Sequence, residues 1–97
     1  MQPPLFRAIE FIRYQGPSRE SYSAILFWSA DELVTEIGDV TMAWRNILLL
    51  WVMDHGFEKQ DPDINRNRDG YVTTRQLWIS PSPIPLDRRG KGLGDGS

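Results

Sequence analysis

The chain has 97 residues, of which 40% are hydrophobic and 25% charged, with 11 Lys and Arg, 13 Asp and Glu, one His and no Cys. This length favours one domain, because two halves would each be too small to bury a core. The absence of cysteine excludes a disulfide framework, a thiol nucleophile and a zinc finger. The formal net charge of −2 neither indicates nor excludes a local basic patch for nucleic acid.

The C-terminal segment SPSPIPLDRRGKGLGDGS is rich in proline and glycine and poor in apolar side chains. Such a segment buries too little surface to offset the entropy cost of ordering it. We therefore predict a domain over residues 1–80 and a flexible tail over residues 81–97. The longest apolar run, residues 47–53, is too short to span a bilayer. Because MQPPLFRAIEFIR lacks the pattern of a signal peptide, we expect an intracellular protein, cytoplasmic or nucleoid-associated, without membrane contact.

The first half of the chain predicts a helix followed by a short strand. Apolar residues at helical spacing, among them Leu5, Phe6, Ile9 and Ile12, predict a first helix that ends before Gly16-Pro17. The apolar run AILFW within residues 22–28 predicts the strand.

Two further helices and a hairpin are expected in the remainder. Residues 29–32 (SADE) match a capping box, which predicts a second helix that Gly38 ends. Thr41 is expected to cap a third helix over residues 42–55, which ends at Gly56. Residues 57–60 and 71–79 favour strands, and the polar segment DPDINRNRDG between them predicts a hairpin with a long tip.

This order of elements resembles the winged helix-turn-helix family of DNA-binding domains. The resemblance covers residues 5–80, and its carriers are SADELVTEIG (29–38), DVTMAWRNILLLWVMDHG (39–56) and the hairpin over residues 57–79. The passage HGFEKQDPDINRNRDGYVTT is especially similar, because family members often end the recognition helix at Gly and run through an Asp- and Arg-rich wing. The resemblance implies an α+β fold with three helices, a short strand after the first helix and a C-terminal β-hairpin wing.

The same resemblance implies a small protein that binds double-stranded DNA and regulates transcription or a mobile element. The third helix would lie in the major groove and the wing on the backbone or minor groove. Arginine can pair with guanine and asparagine with adenine, so the helix offers base contacts. The candidate DNA-binding residues are Thr41, Arg45, Asn46, Lys59, Arg66, Arg68 and Arg75.

The third helix departs from this family pattern because its outer side is apolar. A helix that is apolar nearly all round is usually buried on both sides, here against the first helix or a dimer partner. The alternative function is therefore a winged-helix interaction module that uses this side to bind another chain, with a homodimer as one form. The candidate interface residues are Met42, Leu49, Leu50 and Met53.

Enzymatic and metal chemistry have little support in the sequence. Residues 65–76 follow the outline of a twelve-residue calcium loop, with Asn65, Asn67, Asp69 and Thr73 as side-chain ligands. The loop lacks the bidentate Glu at its last position and contains two arginines, which favours a hairpin tip. His55 lies at a helix end, where a cap or core contact is expected. We predict neither an enzyme nor a cofactor nor a metal site.

Overall fold

A computed structural model describes residues 4–29 and 33–85. Within these ranges the chain forms one helix and six antiparallel strands, which are β1 (Leu5–Gln15), β2 (Glu20–Trp28), β3 (Val34–Ile37), α1 (Met42–Asp54), β4 (Glu58–Lys59), β5 (Asp63–Arg66) and β6 (Val72–Pro85). The strand order is β3-β2-β1-β6-β4, and β5 also pairs with β6. The predicted three-helix winged helix-turn-helix fold is therefore wrong, since the chain is mostly antiparallel sheet.

The predicted first helix is instead the central strand, β1. Ile9 lies opposite Leu26 of β2 on one side and Trp78 of β6 on the other. Ile9 and Ile12 are both buried, although they point to opposite faces of the sheet. A strand that is buried on both faces, with a register shift between Phe6 and Ala8, produces an apolar pattern that also fits helical spacing.

The predicted second helix contains an edge strand. In β3, Thr35 pairs with Leu26 and Ile37 pairs with Ala24 of β2. The β-branched side chains of Val34, Thr35 and Ile37 suit a pleated surface better than a helix. The Ser29 hydroxyl accepts a hydrogen bond from the Leu5 N–H at 2.9 Å, and residues 30–32 of the expected capping box lie outside the described residues.

The helix that begins at Met42 is present where it was predicted. The Thr41 hydroxyl accepts a hydrogen bond from the Trp44 N–H at 3.1 Å, which is the expected N-cap. Beyond the helix, β5 and β6 form a hairpin that belongs to the sheet and is not a separate wing. β6 continues to Pro85, past the predicted domain end at residue 80, and residues 86–97 of the predicted tail lie outside the described residues.

The core lies between α1 and one face of the sheet. Leu48 and Val52 of the helix are fully buried in the same cluster as Phe6 and Ile9. The Phe6 ring lies 5.7 Å from the Trp28 ring, 5.8 Å from that of Trp51 and 5.3 Å from that of Phe57, centroid to centroid. Because aromatic side chains bury large apolar areas, this cluster fixes the helix on the sheet and leaves the other side of α1 to solvent.

Candidate functional site

The side of α1 that points away from the sheet is apolar from Met42 to Met53 apart from Asn46, and the exposed Asp54 follows at its C-terminal end. Leu50 is 67% exposed and Met53 is 54% exposed, whereas Leu48 on the other side of the helix is fully buried. Residues three and four positions apart share a helix face, so the exposed side chains form a stripe about 16 Å long. We call this stripe the outer face; its exposed residues are Met42, Ala43, Asn46, Ile47, Leu50 and Met53, and the exposed carboxylate of Asp54 borders its C-terminal end.

The residues predicted as a partner interface lie largely on this outer face. Met42, Leu50 and Met53 are exposed, while Leu49 is half-buried and packs against the core. Ile47 also contributes to the outer face, although it was not among the candidates. Its spacing of three residues before Leu50, which itself lies three before Met53, is the sequence signal that identifies it.

Arg45, predicted to contact a base, is turned towards the sheet. The carbon of its guanidinium group lies 5.7 Å from the Phe11 ring centroid and 5.4 Å from that of Tyr22. Its Nε is buried and has no hydrogen-bond partner among the described residues. These cation–π contacts hold the side chain between helix and sheet rather than on the outer face.

Two other helix-side candidates for DNA contact, Thr41 and Asn46, lie at the N-cap and on the outer face. Lys59 of β4 borders the same pocket as Arg45. The structure therefore brings Arg45 and Lys59 together, at the side of the sheet that carries α1.

The remaining candidates for DNA contact lie elsewhere. Arg66 ends β5 and Arg68 lies in the following turn, and both are exposed. Arg75 points to the face opposite α1, where its guanidinium nitrogen lies 2.9 Å from a carboxylate oxygen of Glu10. The seven predicted residues thus occupy the helix side, the hairpin tip and the opposite face of the sheet.

Polar side chains at the hairpin tip and at the end of α1 contact backbone groups of the same chain. The side-chain oxygen of Asn67 accepts hydrogen bonds from the backbone N–H groups of Asp69 and Tyr71, at 3.1 and 3.0 Å. His55 stacks on Trp51 with ring centroids 3.9 Å apart, and its Nδ1 lies 2.8 Å from the Trp51 carbonyl oxygen. Asn67 therefore shapes a turn, and His55 lies against the last turn of α1.

The face of the sheet opposite α1 carries no helix within residues 4–29 and 33–85. A shallow groove of about 220 Å³ crosses it, and its lining includes Ile12, Tyr14, Ile25, Glu36 and Arg75. Since Arg75 is paired with Glu10, the groove offers a mixed surface without an excess of positive charge.

No protein-family model matches this chain, and neither a curated protein nor a solved structure matches it. In the part of the chain that the structure describes, no helix has the length and hydrophobicity needed to cross a bilayer. The same part contains no cluster of three or more His, Asp or Glu side chains able to hold a metal ion.

Proposed function

We propose that this protein is a protein–protein association module, in which the outer face of α1 packs against the same face of a second copy. The apolar stripe from Met42 to Met53, with Leu50 two-thirds exposed near its centre, is the observation that carries the proposal. Contiguous apolar surface is costly to leave in water, and the centre of a protein interface is depleted of charged residues.

A second copy fits this stripe because its pattern is nearly the same in both directions. A two-fold axis pairs a surface with itself. In an antiparallel pair centred between Ile47 and Leu50, each Ile47 faces the Leu50 of the other copy, and each Met53 lies between the levels of Met42 and Asn46. The charge that borders the stripe is Asp54. In this pairing it faces Ala43 of the other copy, and the two Asp54 carboxylates lie at opposite ends, so no like charges are brought together.

The size of the stripe sets the strength of this association. A helix of 13 residues is about 20 Å long, so two of them bury less than the ~1,200 Å² typical of stable specific interfaces. The dimer should therefore be weak and depend on concentration. Such interfaces form and separate readily.

DNA binding remains a prediction from the sequence, as does an intracellular location. Groove contact by α1 would need polar side chains on its outer face, where the polar residue is Asn46 and the bordering charge, Asp54, is negative. Titration of the protein into labelled duplex DNA is therefore a separate experiment. Salt-sensitive anisotropy changes with labelled DNA would support the prediction.

Leu50→Lys is expected to abolish the dimer without unfolding the protein. The mean mass of the natural chain should rise from 11.2 kDa towards twice that value between about 10 µM and about 1 mM. With Leu50→Lys the mass should stay at that of one chain, because each lysine would place an unpaired charge against Ile47 of the other copy, less than one helical turn from the second lysine. Sedimentation equilibrium measures the mass, and thermal unfolding at low concentration checks the fold.

The matched control is Val34→Lys, which adds the same charge on β3. Val34 is exposed and pairs with Phe27, on the face of the sheet opposite α1. This variant should dimerise as the natural chain does. A natural chain that stays monomeric at about 1 mM, or a dimer that survives Leu50→Lys, would overturn the proposal.

A further inference from the structure

A pocket of about 190 Å³ lies beside α1, between the helix and strands β1, β4 and β6. We call it the lateral pocket. It is separate from the outer face, because its helical residues are Arg45 and Leu49, which are both half-buried. Its remaining walls come from three strands that are brought together by the pairing of β1 and β4 with β6.

The lateral pocket is lined by positive charge. Arg13, Arg45 and Lys59 border it, and none of the side chains around it is acidic. Arg13 forms an ion pair with Glu20. Within residues 4–29 and 33–85, neither Arg45 nor Lys59 has a carboxylate within ion-pairing distance. Two positive charges on one small concave surface therefore lack a counter-charge there, which favours an anion.

Two of the side chains that line the lateral pocket also lack hydrogen-bond acceptors. The indole N–H of Trp78 and the Nε–H of Arg45 are buried and unpaired in the described structure. Buried donors without partners are rare and costly in folded proteins. Both nitrogens are enclosed by protein in this structure, so each would donate to a ligand oxygen through a shift of its side chain as the ligand enters. The Trp78 donor adds to the charges of Arg45 and Lys59, and together they favour an oxyanion.

Apolar walls complete the lateral pocket. Phe11, Leu49 and Trp78 contribute rings or aliphatic carbons to it, and the Arg45 guanidinium is held over the Phe11 ring. A volume of about 190 Å³ is below the ~300 Å³ at which drug-sized sites begin. The ligand must therefore be small, with an apolar part to contact these walls.

From these features we propose that the lateral pocket binds a small organic anion, in which a carboxylate or phosphate group is attached to a compact apolar body such as one aromatic ring. The anionic oxygens contact Arg45 and Lys59 and accept from the Trp78 indole. The ring packs against Phe11 and Leu49. This site does not depend on the proposed dimer, because it lies away from the outer face.

The test titrates the natural chain with phenyl phosphate and with benzoate, followed by nitrogen–proton NMR. We expect saturable shifts of the Trp78 indole and Arg45 Nε–H signals, both towards lower field as each donor gains an acceptor. The tighter of the two probes identifies the anionic group. Phenol, which has the ring without the charge, and inorganic phosphate, which has the charge without the ring, should each bind at least about tenfold more weakly.

Variants assign the site to these residues. Lys59→Gln should weaken binding of the preferred probe at least about tenfold, and it should leave the fold intact because Lys59 is exposed. Arg45→Lys keeps a positive charge but removes the Nε–H donor, and it should also weaken binding. The control Arg68→Gln makes the same charge change as Lys59→Gln at the hairpin tip, and should leave the affinity unchanged.

Three results would overturn this assignment. The first is the absence of saturable shifts with either probe at millimolar concentration. The second is equal binding of phenol, or of inorganic phosphate, which would show that charge and ring are not recognised together. The third is an equal effect of Lys59→Gln and Arg68→Gln, which would indicate attraction by net charge alone.

Discussion

Phe6→Ala is expected to lower the free energy of unfolding by about 3–5 kcal/mol. Phe6 is fully buried, and its ring contacts three other aromatic rings, those of Trp28, Trp51 and Phe57. Removal of the ring leaves a cavity between α1 and the sheet that rigid aromatic neighbours cannot fill. Equilibrium unfolding in urea, with circular dichroism as the signal, measures the loss.

The matched control is Tyr14→Ala on the same strand. Tyr14 is 42% exposed on the face opposite α1, so its truncation should cost about 1 kcal/mol or less. A cost for Tyr14→Ala equal to that of Phe6→Ala would contradict the placement of the core on the α1 side of the sheet.

The helix could be predicted from the sequence because its signals are local. Thr41 caps the first turn through an amide three residues away, and Gly56 follows the helix with a φ of +76°, which favours glycine. Both signals lie within a few residues of the backbone groups that they affect. The helical period then places Met42, Leu50 and Met53 on one side, so three of the four candidate interface residues are exposed.

The strands could not be predicted in the same way because their partners are distant in sequence. Ile9 belongs to a strand because it pairs with Trp78, which lies 69 positions further along the chain. Its own neighbours carry apolar side chains at intervals that suit a helix as well. Short-range patterns cannot separate the two cases when both faces of a strand are buried.

β3 illustrates a conflict between a local signal and a tertiary one. The SADE capping box favours a helix through a few hydrogen bonds, whereas pairing with β2 gives Val34, Thr35 and Ile37 a complete neighbouring strand. Tertiary context commonly overrides helix propensity of this size. The wrong assignment of the first and second helices then produced the wrong fold class.

The position of Arg45 was beyond sequence reasoning for a related reason. Its cation–π partners, Phe11 and Tyr22, lie on β1 and β2, and β1 was predicted as a helix. A residue assigned to the outside of a recognition helix is therefore half-buried against a sheet. The lateral pocket could not be foreseen either, because its walls come from four separate elements.

Leu48→Ala is expected to destabilise the fold far more than Leu50→Ala, although the two substitutions remove the same atoms from one helix. Leu48 is fully buried in the core and Leu50 is 67% exposed. We expect Leu48→Ala to cost about 3–5 kcal/mol of unfolding free energy, and Leu50→Ala less than ~0.5 kcal/mol. Urea unfolding at a few micromolar, where the proposed dimer would be dissociated, measures both without a contribution from association.

The concentration dependence of these two variants then separates folding from association. The stability of the natural chain should rise with protein concentration, because only the folded state is expected to dimerise. Leu48→Ala should keep that dependence as long as it folds, whereas Leu50→Ala should lose most of it. If Leu50→Ala instead costs as much as Leu48→Ala at high dilution, Leu50 is buried within the single chain, and the outer face is not the surface that α1 offers to a second copy.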